Sequence, residues 1–202
     1  MNIFPDIKKI TKDEINELPI FSYKGEIICC STPHDTEKAA QEIIKEKIVG
    51  FDTETRPTFK KGQFYLPSLI QIAGEEKVYI FQIQQSTITP TLLKILTTEK
   101  IDKAGVALYQ DLEGLQKIIS FNPAKFTDLA VFAKKAEIQN LGLRALAAIF
   151  FGFRISKKEQ VSNWAKKRLT DSQLQYAATD ALIGRLLYME FLSKGLLKDE
   201  EI

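Results

Sequence analysis

The feature that most restricts how this chain can fold is the placement of carboxylates beside or within segments apolar enough to be core. Asp52 and Glu54 end the run Ile48-Val49-Gly50-Phe51-Asp52-Thr53-Glu54, and Asp111 follows Gly105-Val106-Ala107-Leu108-Tyr109-Gln110. Asp180 lies in Gln173-Leu174-Gln175-Tyr176-Ala177-Ala178-Thr179-Asp180-Ala181, four residues after Tyr176. An unpaired charge is expensive to bury. Several carboxylates gathered in a core demand a cation, and hard divalent ions such as Mg²⁺ or Mn²⁺ prefer oxygen ligands.

With 202 residues, 45% of them hydrophobic, the chain can bury a full core, which is read here as a single domain. A net charge of +2 gives no bulk attraction to nucleic acid, so any basic footprint must be local. The N-terminus lacks a signal-peptide pattern, and no stretch approaches the roughly 20 apolar residues of a membrane span. The expectation is a cytoplasmic protein with no membrane partner. Cys29 and Cys30 are adjacent, which suits buried small hydrophobes at a strand end better than a disulfide. His34 is the single histidine and is expected in a loop before a helix, which argues against a histidine-based zinc centre and against Ser-His-Asp chemistry.

Thr11 and Glu14 have capping-box spacing for a short helix, and 26–30 reads as a strand. Residues 1–30 are taken as an N-terminal lead-in and 31–202 as the main domain. A helix is expected over 35–46, then strands over 48–54, 68–73 and 77–82, with an exposed loop at 56–64. Further along, helices are expected over 91–98, 110–120, 126–136, 143–151 and 171–193, with a short strand at 103–106. Thr170 and Gln173 form a second capping-box pair. Strands first and helices later predict an α/β fold, a mixed central sheet flanked by helices.

On a strand, i and i+2 face the same way, so Asp52 and Glu54 point to one locus while Phe51 and Thr53 face the other side. On a helix, Tyr176 and Asp180 share a face, and the next member of that row, Gly184, leaves room for a substrate. Asp111 is expected in a first helical turn, where the dipole favours negative charge. Two metals about 3.5 to 4 Å apart are the usual arrangement for displacing an alkoxide from a phosphodiester. Tyr176 could orient or deprotonate the attacking water, and a reference pKa near 10 suits orientation better.

Phe51-Asp52-Thr53-Glu54-Thr55, then Gly105-Val106 with Asp111 and Leu115, then Leu174 and Tyr176 to Ala181 resemble the three motifs of the DEDD 3′–5′ exonucleases, in the subgroup that carries tyrosine. Ser162-Asn163-Trp164, Asn140 to Leu146 and Pro67 to Ile72 are similar to ribonuclease D and Werner-type exonuclease domains. The resemblance implies a ribonuclease H-like fold, two Mg²⁺ or Mn²⁺ ions and stepwise release of nucleoside monophosphates from a 3′ end. It implies that Asp52 bridges both metals, Glu54 and Asp180 bind the one that activates water, Asp111 holds the other, and Tyr176 positions the water. The partner implied is nucleic acid with a free 3′ end. Single-stranded or recessed DNA is favoured over RNA, because 105–110 lacks the histidine and asparagine of many ribonuclease D-like chains and 202 residues leave no room for their helical RNA-binding domain. DNA repair is one setting for such an activity.

Arg56, Phe59, Lys60 and Lys166 stand near these motifs and are candidates for phosphate contacts and base stacking, with Phe64, Lys157-Lys158 and Lys167-Arg168 close by. Trp164 reads as core. Two rival readings stay open: a catalytically silent nucleic-acid-binding module of the same fold, and a haloacid dehalogenase-type phosphatase, which Asp52-Thr53-Glu54-Thr55 loosely resembles.

Overall fold

Among the described residues, six strands and seven helices place the acidic segments at one end of a mixed sheet. The computed structural model describes residues 8–83 and 88–197. The strands are β1 (Glu26–Cys30), β2 (Ile48–Thr55), β3 (Pro67–Ala73), β4 (Lys77–Gln82), β5 (Asp102–Gly105) and β6 (Phe126–Asp128), ordered β1-β4-β3-β2-β5-β6. β2 runs antiparallel to β3 and parallel to β5, so it is central and covered on both faces. The helices are α1 (Lys12–Glu17), α2 (Pro33–Ile43), α3 (Pro90–Thr97), α4 (Tyr109–Gln116), α5 (Leu129–Lys135), α6 (Leu143–Phe151) and α7 (Asp171–Ser193).

The two faces of β2 follow from its alternation. Val49 and Phe51 point into a core shared with Ala39, Ile43, Leu92, Leu108 and Leu115 of the α2, α3 and α4 side. Gly50, Asp52 and Glu54 face α7, which starts from a capping box between Thr170 and Gln173. Glycine lets that helix approach: a Cβ on Gly50 would stand 1.9 Å from the Ala181 carbonyl oxygen, and one on Gly184 would stand 2.7 Å from that of Ala104. Gly184 is thus spent on packing against β5, not on room for a substrate, because its missing side chain faces backbone.

Several expectations shift for local reasons. α2 begins at Pro33, with Thr32 as its N-cap accepting from the Asp35 amide, so His34 lies in a first helical turn and not in a loop. Residues 126–128 form a strand, not the start of a helix, because they pair in parallel with Lys103, Ala104 and Gly105, and Asp128 then caps α5 through the Ala130 amide. Cys30 is buried but Cys29 is exposed, since neighbours on a strand face opposite ways. α4 ends at Gln116, four residues short of the span read from the sequence. The first seven residues, with the absent leader pattern, lie outside the described residues.

The segment 8–23 packs as a strap on the α6 and α7 side. Ile10 and Ile15 join the core of α6 and α7, Phe21 stacks on Phe153 at 4.5 Å, and the Tyr23 amide donates to Thr179 Oγ1 at 3.0 Å. Among the described residues no helix is long and apolar enough to cross a membrane.

Candidate active site

The end of β2 and the first half of α7 bring three carboxylates to one point. Asp52, Glu54 and Asp180 each offer an oxygen, and these atoms lie within 4.8 Å of one another. Asp180 is buried, while Asp52 and Glu54 are partly exposed. Among the described residues no ion pair reaches any of them. Burial, then the Asp180 and Asp111 charges, holds the Asp52 carboxyl well above the carboxylate range. Burial, then the Asp52, Asp180 and Asp111 charges, pushes Glu54 up to about 10. Burial raises Asp180 to about 7, against the pull of the Tyr176 hydroxyl, which favours its ionised form. Such a set resists losing its protons until a positive charge arrives.

Tyr176 sits one helical turn before Asp180, half-buried, with its ring 5.8 Å from the buried Trp164 ring. Burial and the Asp180, Glu54 and Asp52 charges all raise its phenol, which suits orienting a water better than deprotonating it.

Asp111 comes from the opposite side of the sheet. It lies in the first turn of α4, and Thr53, on the Phe51 side of β2, donates its hydroxyl to the Asp111 carboxylate. Its oxygens stand outside the trio, although its charge is felt by Asp52 and Glu54. Burial raises the Asp111 carboxyl and the Thr53 hydroxyl opposes that rise. Sequence reasoning missed Asp128, whose carboxylate accepts from the amides of Ala107 at 2.9 Å and Leu108 at 3.2 Å. Ala107 has φ 62°, a left-handed turn that a side-chain acceptor stabilises just before α4. Asp128 thereby fixes where α4, and hence Asp111, begins.

The residues fit a divalent cation on a second ground. Gln71 is fully buried, neither of its amide atoms has a hydrogen-bond partner, and it is the register partner of Asp52 on the face toward α7. A buried amide left unpaired costs about 1–3 kcal/mol, a cost that a hydrated cation beside Asp52 would relieve.

The four candidates for nucleic-acid contact separate into two groups. Arg56, Phe59 and Lys60 line a cleft of about 360 Å³ with Tyr65 and Asn163, and the Arg56 guanidinium lies 4.8 Å from the Tyr65 ring centroid. Phe59 is 85% exposed and Phe64 89%, an unusual exposure for large apolar rings. Lys166 lies elsewhere, on a cleft lined also by Lys167, Arg168, Ser68 and Gln82, and the Gln82 amide donates to its carbonyl at 3.0 Å.

The sheet order and the acidic centre define a domain of the ribonuclease H-like class. A family model described as 3′-5′ exonuclease matches residues 27–195. The mouse bifunctional 3′-5′ exonuclease/ATP-dependent helicase WRN is 30% identical over 190 residues, covering 89% of this chain and 14% of that one. Ribonuclease D of Gluconacetobacter diazotrophicus is 28% identical over 171 residues, covering 83% and 42% respectively. The Aedes aegypti Nibbler EXO domain superposes with a TM-score of 0.76 at 22% identity, covering 86% of this chain and 92% of that one. The chain belongs to the 3′-5′ exonuclease family of the DEDD superfamily. It spans less than half the length of the mouse and bacterial relatives. The family match overturns the haloacid dehalogenase-type alternative.

Proposed function

We propose that the chain is a metal-dependent 3′–5′ exonuclease of the tyrosine subgroup, hydrolysing phosphodiester bonds from the 3′ end of nucleic acid and releasing nucleoside monophosphates. The observation that carries this reading is the convergence of Asp52, Glu54 and the buried Asp180, with no ion pair to any of them among the described residues, beside the Tyr176 hydroxyl. Residues 31–202 would form the catalytic domain, with 1–30 as its lead-in. Two free thiols suit the reducing cytoplasm expected for it.

Asp52, Glu54 and Asp180 would hold one Mg²⁺ or Mn²⁺, and Asp52 with Asp111 a second. Bound there, the pair supplies Lewis-acid activation of water and charge neutralisation at the departing 3′ oxygen. Tyr176, one helical turn before Asp180, would orient the attacking water. Thr53 holds the Asp111 carboxylate in place from behind the strand. The exposed rings of Phe59 and Phe64 offer faces for unstacked bases, and Arg56, Lys60 and Lys166 offer charge for the backbone. DNA is favoured over RNA on the 105–110 segment, and the ribonuclease D relative is the reason to test both.

The test is digestion of 5′-labelled single-stranded DNA, recessed duplex DNA and RNA with Mg²⁺ or Mn²⁺, beside Asp52→Ala and Asp180→Ala. A ladder shortening from the 3′ end, absent in both variants, supports the reading. No degradation of any substrate, or full activity in EDTA, overturns it. Binding without cleavage would favour the silent module.

A further inference from the structure

The strap of residues 8–23 lies before the family match, which starts at residue 27, yet it walls a cleft that opens onto Tyr176 and Asp180. The cleft measures about 420 Å³ and is lined by Lys12 of α1, Arg144 of α6 and Lys157. Among the described residues its one lining carboxylate is Asp180. Lys12 and Lys157 are exposed, and among the described residues none of the three cations forms an ion pair. Arg144 has a guanidinium Nη2 that donates to Asn16 Oδ1 at 2.7 Å and a buried Nε with no partner.

The strap is fixed in this position. The Ile10 amide donates to Asn140 Oδ1 at 2.9 Å, the Phe21 amide to the Arg154 carbonyl at 2.8 Å, and Gln175 Nε2 to the Tyr23 carbonyl at 3.2 Å. Lys12 is therefore held across from Arg144 and Lys157. Three unpaired cations around a cleft repel one another and favour an anion. The adjoining centre has the opposite problem, because its carboxylates repel a polyanionic strand.

We infer that this cleft is a phosphate-binding subsite, in which Lys12, Arg144 and Lys157 hold a backbone phosphodiester of the substrate strand next to the catalytic carboxylates. The inference rests on the exonuclease reading. It makes the N-terminal strap part of the substrate grip, and it explains why cations gather here on a chain whose net charge is +2.

The experiment measures binding, so it does not depend on turnover. Fluorescence anisotropy of a labelled single-stranded oligonucleotide is titrated with the wild-type chain, Lys12→Glu, Lys157→Glu and, as control, Lys45→Glu, which lies before β2 at the opposite end of the sheet. Lys12→Glu and Lys157→Glu are expected to weaken binding about tenfold at low salt. Each should also flatten the slope of log Kd against log[KCl] by about 0.7, the counterion release of one lost contact to a single strand. Lys45→Glu should match wild type. Unchanged Kd and slope in both cleft variants overturn the inference, as does a change confined to competition by a nucleoside 5′-monophosphate, which would assign the cleft to the free product. A chain that binds through the cleft but degrades nothing would fail the exonuclease reading alone.

Discussion

Gly50 lies against the Ala181 carbonyl so closely that a methyl group at position 50 would stand 1.9 Å from that oxygen. The contact sets the spacing of the centre, because Gly50 precedes Asp52 by one pleat and Ala181 follows Asp180 directly. Gly50→Ala must push α7 away from β2 and part the two ligand sets together. Overpacking against backbone costs about 3 kcal/mol, which lowers Tm by about 10 °C. The prediction is a folded but destabilised protein whose residual activity at 20 °C is at most a hundredth of wild type. Wild-type activity in a variant with lowered Tm would show that the spacing is not critical.

Thr53 reaches Asp111 from the side of β2 opposite to the trio. Thr53→Val keeps the shape and removes the donor, so the half-buried Asp111 carboxyl rises further and competes less well for a cation. The Mn²⁺ concentration giving half-maximal activity should rise about tenfold, with activity largely recovered at saturation. A metal titration of rate distinguishes this from a plain loss of kcat, which would place Thr53 in another role.

Tyr176→Phe tests orientation of water separately from metal binding. The phenol is not among the acidic ligands, and positioned proton donors and acceptors contribute about 10²–10⁴ in rate. kcat should fall by about a hundredfold or more, while the rise in Tm on adding Mn²⁺ stays at the wild-type value. If the thermal response to Mn²⁺ disappears as well, Tyr176 serves the metal site itself.

How far the sequence carried these assignments depends on the reach of each signal. α7 and its capping box were legible because Thr170, Gln173 and the apolar period are local. The facing of Asp52 and Glu54 was legible because alternation on a strand is geometric. The opposite-face origin of Asp111 was not, since its segment says which turn it occupies but not which layer. Asp128 was read as helix because the apolar pattern runs through it, and only its bonds to the Ala107 and Leu108 amides reveal a clamp. The Gly184 reading erred because a glycine facing a substrate and one facing backbone look alike in sequence. Arg144 and Lys12 were missed because they meet through tertiary packing, 132 positions apart by their numbers.

The acidic centre should make stability depend on pH and metal together. Asp180 has a folded pKa of about 7 against an ordinary 3.8. Between those values the folded chain binds more protons than the unfolded one, so the contribution is present below about 4 and lost as pH rises toward 7. Glu54, pushed up to about 10, extends the loss to higher pH. Divalent cations compete with those protons. The rise in Tm on adding Mn²⁺ should therefore grow from pH 5 to pH 8, and Asp180→Asn should stabilise the metal-free protein at pH 8 while shrinking the Mn²⁺ response. A Mn²⁺ increment independent of pH would contradict the protonation argument.

Lys103 gives the opposite sign. It is fully buried on β5, its ammonium donates to the Thr98 and Ile101 carbonyls at 2.8 Å each, and it lies 5.2 Å from the Phe126 ring centroid. Burial lowers its pKa from 10.5 to about 8, against the pull of Asp102. Between pH 8 and 10.5 the unfolded chain binds the extra proton, so stability rises with pH across that window. The full excursion is on the order of 3 kcal/mol. Lys103→Met removes the titration and leaves two carbonyls without their donor, a loss of about 1–2 kcal/mol. Other groups titrate in the same range, so the informative quantity is the difference between the two proteins in urea unfolding free energy at pH 7.5, 8.5 and 9.5. That difference should move in favour of wild type as pH rises, because only wild type sheds a buried charge. Parallel pH profiles would mean that the two carbonyls and the Phe126 ring solvate the ammonium as well as water does.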